Sequence, residues 1–286
     1  MKKGLIMEGG ALRGLFTAGV IDVMMENSIV FDGAVGVSAG AVFGCNYKSG
    51  QIGRVIRYNL TNANNPNYCG IRSLIKTGDL FGADYCYREI PEKYDIFDTK
   101  AYAENPMEFH VVCTDIATGK PIYRRLDHID ETAMAYLRAS ASMPLVSRIV
   151  EVDGLHLLDG GIADSIPLRY FESLGYEKNI VILTQPKGFI KEKNEFLPFM
   201  KLAFRQYPHL YETMKNRHTA YNETIRYIEE KENAGDVFVI RPPRKLPIGR
   251  VEHDTQKMNL TYQIGRNVGR KALPLIKKYL QKGEPV

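Results

Sequence analysis

The stretch Gly33-Ala34-Val35-Gly36-Val37-Ser38-Ala39-Gly40-Ala41-Val42-Phe43-Gly44 decides how the rest of the chain is read. Its first residues are small or β-branched and predict the end of a buried strand. The residues after Ser38 are small and apolar and predict the start of a helix. At the junction, Gly36-Val37-Ser38-Ala39-Gly40 fits G-x-S-x-G, the spacing of a nucleophile elbow. A serine on so sharp a strand-to-helix turn is held in a strained backbone conformation. Side chains two positions before and two after it would collide, so both positions need glycine. The turn pushes the hydroxyl out above the sheet edge and brings helix N-terminal amides near any oxyanion formed there. A bare five-residue match also fits a Gly-rich turn in a buried segment, so the surrounding chain must decide.

Upstream, Leu5-Ile6-Met7 predicts a first strand running into Glu8-Gly9-Gly10-Ala11-Leu12-Arg13-Gly14, followed by a helix to about Asn27. With the strand at 33–37 this makes a βαβ unit, and such units imply a parallel sheet. Two chemistries fit the first glycine cluster. Gly9, Ala11 and Gly14 fall at the spacing of a dinucleotide loop, but the middle position is alanine, where close approach to a pyrophosphate needs glycine. Alternatively, consecutive amides at the mouth of a helix converge on a negative oxygen, and alanine does not block an N–H. The oxyanion hole is favoured because an elbow follows in the next βαβ step. A nucleotide-binding or non-catalytic protein using the 9–14 loop is the alternative.

Downstream, residues 39–60 read as one helix, 62–70 as loop, and 71–105 as short helices joined by polar turns. Glu108–Ile116 and Ile122–Leu126 read as strands. Residues 131–142 read as an Ala-rich helix that Pro144 ends. Residues 148–158 alternate as a hairpin around Asp153-Gly154, a strong turn signal. Its second arm delivers Asp159-Gly160-Gly161. A short helix over 166–174 and a strand over Asn179–Thr184 complete the main α/β layer, whose end is expected near Pro186. Residues 187–286 are richer in Lys, Glu and Tyr and read as mostly helical, with one strand at Val237–Ile240 and a last helix over 255–281, where Pro274 is an expected kink. The chain is therefore expected to divide into an α/β domain, 1–186, and a mostly helical region, 187–286, packed on it.

The composition is that of a globular protein: 286 residues, 44% hydrophobic and 25% charged, with a mild net charge of +5. That charge demands neither nucleic acid nor lipid, and no nucleic-acid partner is expected. Cys45, Cys69, Cys86 and Cys113 are irregularly spaced without a C-x-x-C pair. Reduced thiols in a cytoplasmic protein, and no zinc site, are the expectation. No stretch approaches the length of a membrane span, so any membrane contact is expected to be peripheral, at the inner surface. The last helix sets Ile264, Val268, Leu275, Ile276, Tyr279 and Leu280 near one face, with a basic remainder that includes Lys278 and Lys282. Such a helix suits an anionic surface, although an apolar face more often packs on a core. Phe196-Leu197-Pro198-Phe199-Met200 is a second candidate contact.

A serine nucleophile needs a base. His110 and His156 fall inside strand patterns, His209, His218 and His253 lie in the polar tail half, and none of the six histidines has a Gly-rich strand-end context. Asp159 has one: it ends a strand and precedes two glycines, where α/β catalytic residues sit. A β-turn aspartate capping its own backbone would look the same in isolation.

Taken in order, Glu8–Gly14, Gly36–Gly40 and Asp159–Gly161, with Arg138-Ala139-Ser140-Ala141-Ser142-Met143-Pro144 upstream of the aspartate, resemble the patatin-like phospholipase family over residues 4 to about 186. The tail resembles a bacterial branch of uncharacterised patatin-like proteins. The resemblance implies a three-layer α/β/α fold with a mainly parallel sheet, a largely helical C-terminal extension, and a Ser-Asp dyad without histidine, metal or organic cofactor. By position it makes Ser38 the nucleophile and Asp159 the general base. The amides of Gly10 and Ala11, with Gly9 beside them, become the oxyanion hole, Arg13 helps fix that loop, and Gly14, Gly36, Gly40, Gly160 and Gly161 are the motif glycines. Where the family usually has a third glycine this chain has Ala11, whose amide remains. The implied substrate is a lipid or other acyl ester.

Overall fold

The computed structural model describes residues 1–281, so Lys282 lies outside the described residues. Eight strands form one mixed sheet: β1 (Lys2–Met7), β2 (Gly33–Val37), β3 (Glu108–Asp115), β4 (Pro121–Arg125), β5 (Val150–Val152), β6 (Leu155–Asp159), β7 (Tyr176–Ile182) and β8 (Val237–Ile240). The order runs β5-β6-β3-β2-β1-β7-β8, and β4 lies against β3. The run from β3 to β8 is parallel throughout, while the β3–β4, β3–β6 and β5–β6 pairs are antiparallel.

The parallel strands read as unbroken apolar runs because both their faces are covered. Leu5, Met7, Ile180 and Ile182 belong to one core with helices α1 (Leu15–Glu26), α2 (Ala39–Lys48) and the last helix, α10 (Thr255–Gln281). The alternate residues Ile6, Val35, Val37 and Val181 belong to a second core with α7 (Leu168–Ser173) and α9 (Pro208–Ala234). The period-2 alternation of the strands thus sorts neighbouring residues into two cores, which makes three layers, α/β/α.

Three elements depart from the sequence-based expectations. The helix expected over 39–60 breaks after Lys48 and restarts as α3 (Arg54–Asn62), because Gly50 and Gly53 between them take φ of +67° and +73°. The sheet also continues beyond Pro186: β8 pairs in parallel with β7, so the edge strand comes from residues 187–286. Finally, the apolar side of α10 is spent on packing. Ile276, Tyr279 and Leu280 are buried, Ile264 and Val268 pack against the same core, and Leu275 alone of the six faces solvent. That helix offers no apolar face to a bilayer.

The hairpin over 148–158 forms as expected, with Asp153 and Gly154 both at positive φ, as a two-residue primed turn requires. The sheet register then sets the site. Val37, at the end of β2, lies opposite Val112 of β3, and Asp159, at the end of β6, lies opposite the next residue, Cys113. Two strand ends far apart in sequence therefore meet at one point on β3.

Candidate active site

Ser38 sits between β2 and α2 with φ 54° and ψ −122°, a backbone conformation that costs a non-glycine residue on the order of 1–3 kcal/mol. The turn is as tight as the sequence implies. A Cβ on Gly36 would stand 2.3 Å from the Gly40 carbonyl oxygen, and one on Gly40 would stand 2.3 Å from that of Met7. The Ser38 N–H donates to Ser140 Oγ at 2.9 Å, and Ser140 Oγ donates to the Val112 carbonyl at 2.6 Å. One buried hydroxyl thus ties the elbow to β3. It also occupies the Ser38 amide, which is no longer available to a bound oxyanion.

The 9–14 loop packs directly on the serine. A Cβ on Gly9 would stand 3.0 Å from Ser38 Cβ. Ala11 takes φ +50°, so the departure from a third glycine keeps the left-handed conformation and bears its strain. The N–H groups of Gly9, Gly10 and Ala11 make no backbone hydrogen bond among the described residues. Gly14 lies against α2, where a Cβ would stand 2.9 Å from Ala39 Cβ. Arg13 faces the cavity described below; its Nε is buried without a hydrogen-bond partner, and no hydrogen bond ties its side chain to the loop among the described residues. Glu8, buried at the end of β1, anchors the loop from behind. It accepts from the Thr184 N–H at 2.6 Å, the Thr184 hydroxyl at 3.1 Å and the Tyr221 hydroxyl of α9 at 2.7 Å.

Asp159 is buried and accepts a hydrogen bond from the Gly161 N–H at 2.8 Å. Its own N–H donates to the Ser142 carbonyl, and its carbonyl accepts from Thr114 Oγ. Gly160 is pressed against β3, where a Cβ would meet the Val112 carbonyl at 2.1 Å. Burial pushes the Asp159 carboxyl above its ordinary value. The Arg217 charge, the neighbouring Ser38 hydroxyl and the Gly161 N–H pull it part of the way back. Arg217, on α9, donates through Nε to the Gly161 carbonyl.

Ser38 and Ala11 stand where two cavities meet. One, of about 110 Å³, is walled by apolar and aromatic side chains such as Phe43, Tyr58, Tyr87, Ile90 and Phe97. The other, of about 500 Å³, holds Asp159 and Glu8 together with Arg13, Lys191, Arg217 and Arg250. No histidine lines either cavity. His110 is instead buried between Tyr170, at 3.0 Å, and Glu108, at 3.4 Å, and His253 Nδ1 lies 2.6 Å from the Ala63 carbonyl. Among the described residues no cluster of three or more His, Cys, Asp or Glu could hold a metal ion. The sequence gives no local sign of Lys191, Arg217 or Arg250; they arrive from three separate places, the segment before α8 (Leu197–Ala203), α9 itself and the segment between β8 and α10. Ser140 does lie within a stretch singled out above, but as part of the family resemblance rather than as a tether.

Residues 5–172, more than half the chain, match the family model described as "Patatin-like phospholipase". The chain belongs to the patatin-like phospholipase family. Residues 207–281 match a second model, "Domain of unknown function (DUF6363)". Among relatives of this patatin-like chain, the "Uncharacterized protein YjjU" of Escherichia coli is 26% identical over 99% of this chain and 80% of that protein. The "Lysophospholipase nte1" of Aspergillus niger is 24% identical over 96% of this chain, which spans only 18% of the fungal protein. The "Uncharacterized NTE family protein Mb1092c" of Mycobacterium bovis is 26% identical over 62% of this chain and 48% of its own length. With the crystal structure of VipD from Legionella pneumophila the TM-score is 0.45 at 12% identity, over 97% of this chain and 67% of that one.

Proposed function

We infer that this family member is a serine acyl-ester hydrolase of phospholipase A type. Ser38 is the nucleophile, Asp159 the general base, and the amides of Gly9, Gly10 and Ala11 hold the oxyanion. The observation that carries this reading is that Ser38, on a strained strand-to-helix turn, and the buried carboxylate of Asp159 line one polar cavity at the point where it meets an apolar one. Ser38 Oγ attacks the ester carbonyl while Asp159 takes its proton. Collapse of the tetrahedral intermediate expels the alcohol, which leaves with that proton. Water then attacks the acyl-serine with Asp159 again as base and releases the fatty acid. A carboxylate is ordinarily a weak base at neutral pH, and the raised pKa of Asp159 moves it toward the useful range. The acyl chain occupies the apolar cavity. The name of the fungal relative, a lysophospholipase, supports a lipid substrate.

Delivery from a lipid surface follows from the rim of the larger cavity. Phe196 lines it and is 59% exposed, and Phe199 and Leu202 on α8 (Leu197–Ala203) stand exposed beside it. Besides the cavity-lining Lys191, four exposed basic residues, Lys187, Lys193, Lys201 and Arg205, lie between 187 and 205 against Glu192 and Glu195, so the surface on offer is an anionic bilayer.

Turnover of p-nitrophenyl butyrate by folded Ser38→Ala tests the reading. Loss of activity is expected, with each single His→Ala variant remaining active. Undiminished turnover would remove Ser38 from the mechanism, and a histidine variant as dead as Ser38→Ala would replace the dyad with a triad.

A further inference from the structure

The larger cavity gathers four cationic side chains, Arg13, Lys191, Arg217 and Arg250, around two carboxylates. Two carboxylates do not balance four cations, and both are turned to other donors: Glu8 to the Thr184 N–H and hydroxyl and the Tyr221 hydroxyl, and Asp159 to the Gly161 N–H. None of the four cations forms an ion pair within 4.0 Å among the described residues, and the Arg13 Nε is buried without any partner. Lys191 shows the consequence. Its ammonium lies 4.1 Å from the centre of the Tyr221 ring, and burial, then Arg217, Arg13 and Arg250, pull its pKa down to about 7 against the opposing pull of Glu8. Like charges crowded into a partly desolvated wall are unfavourable unless an anion joins them.

We propose that this cavity binds the phosphate of an anionic acyl ester, held chiefly by Lys191, Arg217 and Arg250, while the acyl chain lies in the apolar cavity on the other side of Ser38. The proposal rests on the reading of Ser38 as nucleophile and names the alcohol half of its substrate. Arg217 and Arg250 lie within the 207–281 match of unknown function, and Lys191 lies just before it. All three fall outside the 5–172 family match. That C-terminal region therefore selects the head group, while the family core performs the chemistry. Guanidinium groups suit phosphate because their planar donors meet two oxygens at once.

The test is calorimetric binding to the Ser38→Ala protein below the critical micelle concentration. The probes are lauroyl lysophosphatidic acid, lauroyl lysophosphatidylcholine, monolaurin and glycerol 3-phosphate. The anionic lysolipid should bind at least tenfold more tightly than monolaurin, with the zwitterion between them. Lys191→Met or Arg250→Ala in the Ser38→Ala background should each cut that advantage severalfold. The two side chains sit on separate segments, so misfolding of one variant leaves the other as a test. Equal affinity for the anionic and neutral lipids overturns the proposal. Equal affinity for glycerol 3-phosphate and the lysolipid assigns the site to a free phosphate and overturns the lipid head group. Binding needs no turnover, so selective binding by a wild type that hydrolyses none of these esters removes the hydrolase reading and leaves the anion site standing.

Discussion

Ser38 and Ala11 both hold positive φ without being glycine, and both stand at the meeting of the two cavities. Strain at two neighbouring positions persists only where surrounding structure over-determines it. Here the Ser140 tether, the Gly36–Gly40 contact and the Glu8 anchor supply that constraint. Asp159 is balanced between opposing influences, and the balance is testable. Its pKa is raised first by burial and lowered first by Arg217. In the proposed mechanism the working base is the ionised form, so activity should fall as pH drops through that pKa. Arg217→Met removes the main influence favouring ionisation. The acidic limb of the kcat/KM profile for a neutral ester should therefore move to higher pH. An unmoved or lower limb in the folded variant would show that Arg217 does not act on the base.

At the scale of elements, α10 is held against α1 by close backbone approach rather than by a wide apolar seam. A Cβ on Gly19 would stand 2.2 Å from the Tyr262 carbonyl oxygen, and one on Gly265 would stand 2.0 Å from that of Phe16. Polar contacts flank the crossing: the Tyr262 hydroxyl donates to Asp22 at 2.6 Å, and Arg266 pairs with Glu26 at 2.8 Å. Gly265→Val must push the helices apart. Helix propensity alone would recover a few tenths of a kcal/mol, whereas overpacking costs about 1–3 kcal/mol, so overpacking wins. The melting temperature should fall by roughly 2–4 °C for each kcal/mol lost. An unchanged melting temperature would mean that the crossing yields without cost.

Across the whole molecule, the basic last helix is committed to the core, and no helix of the described residues is long and apolar enough to cross a membrane. The proposed lipid contact then falls to Phe196, Phe199 and Leu202 beside the cavity mouth, with the basic residues around them. The protein should sediment with anionic vesicles at low salt, and much less at high salt or with neutral lipid, since surface attraction is screened over about 8–10 Å. Phe199→Asp should weaken the binding. Equal, negligible sedimentation in all four conditions would detach the membrane from the function.

The sequence by itself determined the features that depend on short-range geometry. The elbow glycines, the Asp-Gly hairpin and the apolar runs of the parallel strands are legible because a tight turn, a primed turn and a doubly covered strand each tolerate few residues. The position of the second carboxylate was legible for the same reason, as a strand end followed by two glycines. What only the tertiary structure decided depends on which surfaces meet. Ser38 and Asp159 face each other because β2 and β6 end on consecutive residues of β3. The pattern of the basic last helix suits either an anionic surface or a core, and the fold makes it a core helix, because periodicity reports an apolar face without saying what covers it. Arg217 reaches the site through the docking of α9, and Lys191 and Arg250 from segments before α8 and between β8 and α10; exposed and cavity-lining cations are identical in a one-dimensional pattern. The physical reason is common to all three: pairing and packing join residues more than a hundred positions apart, and local propensity carries no record of the partner.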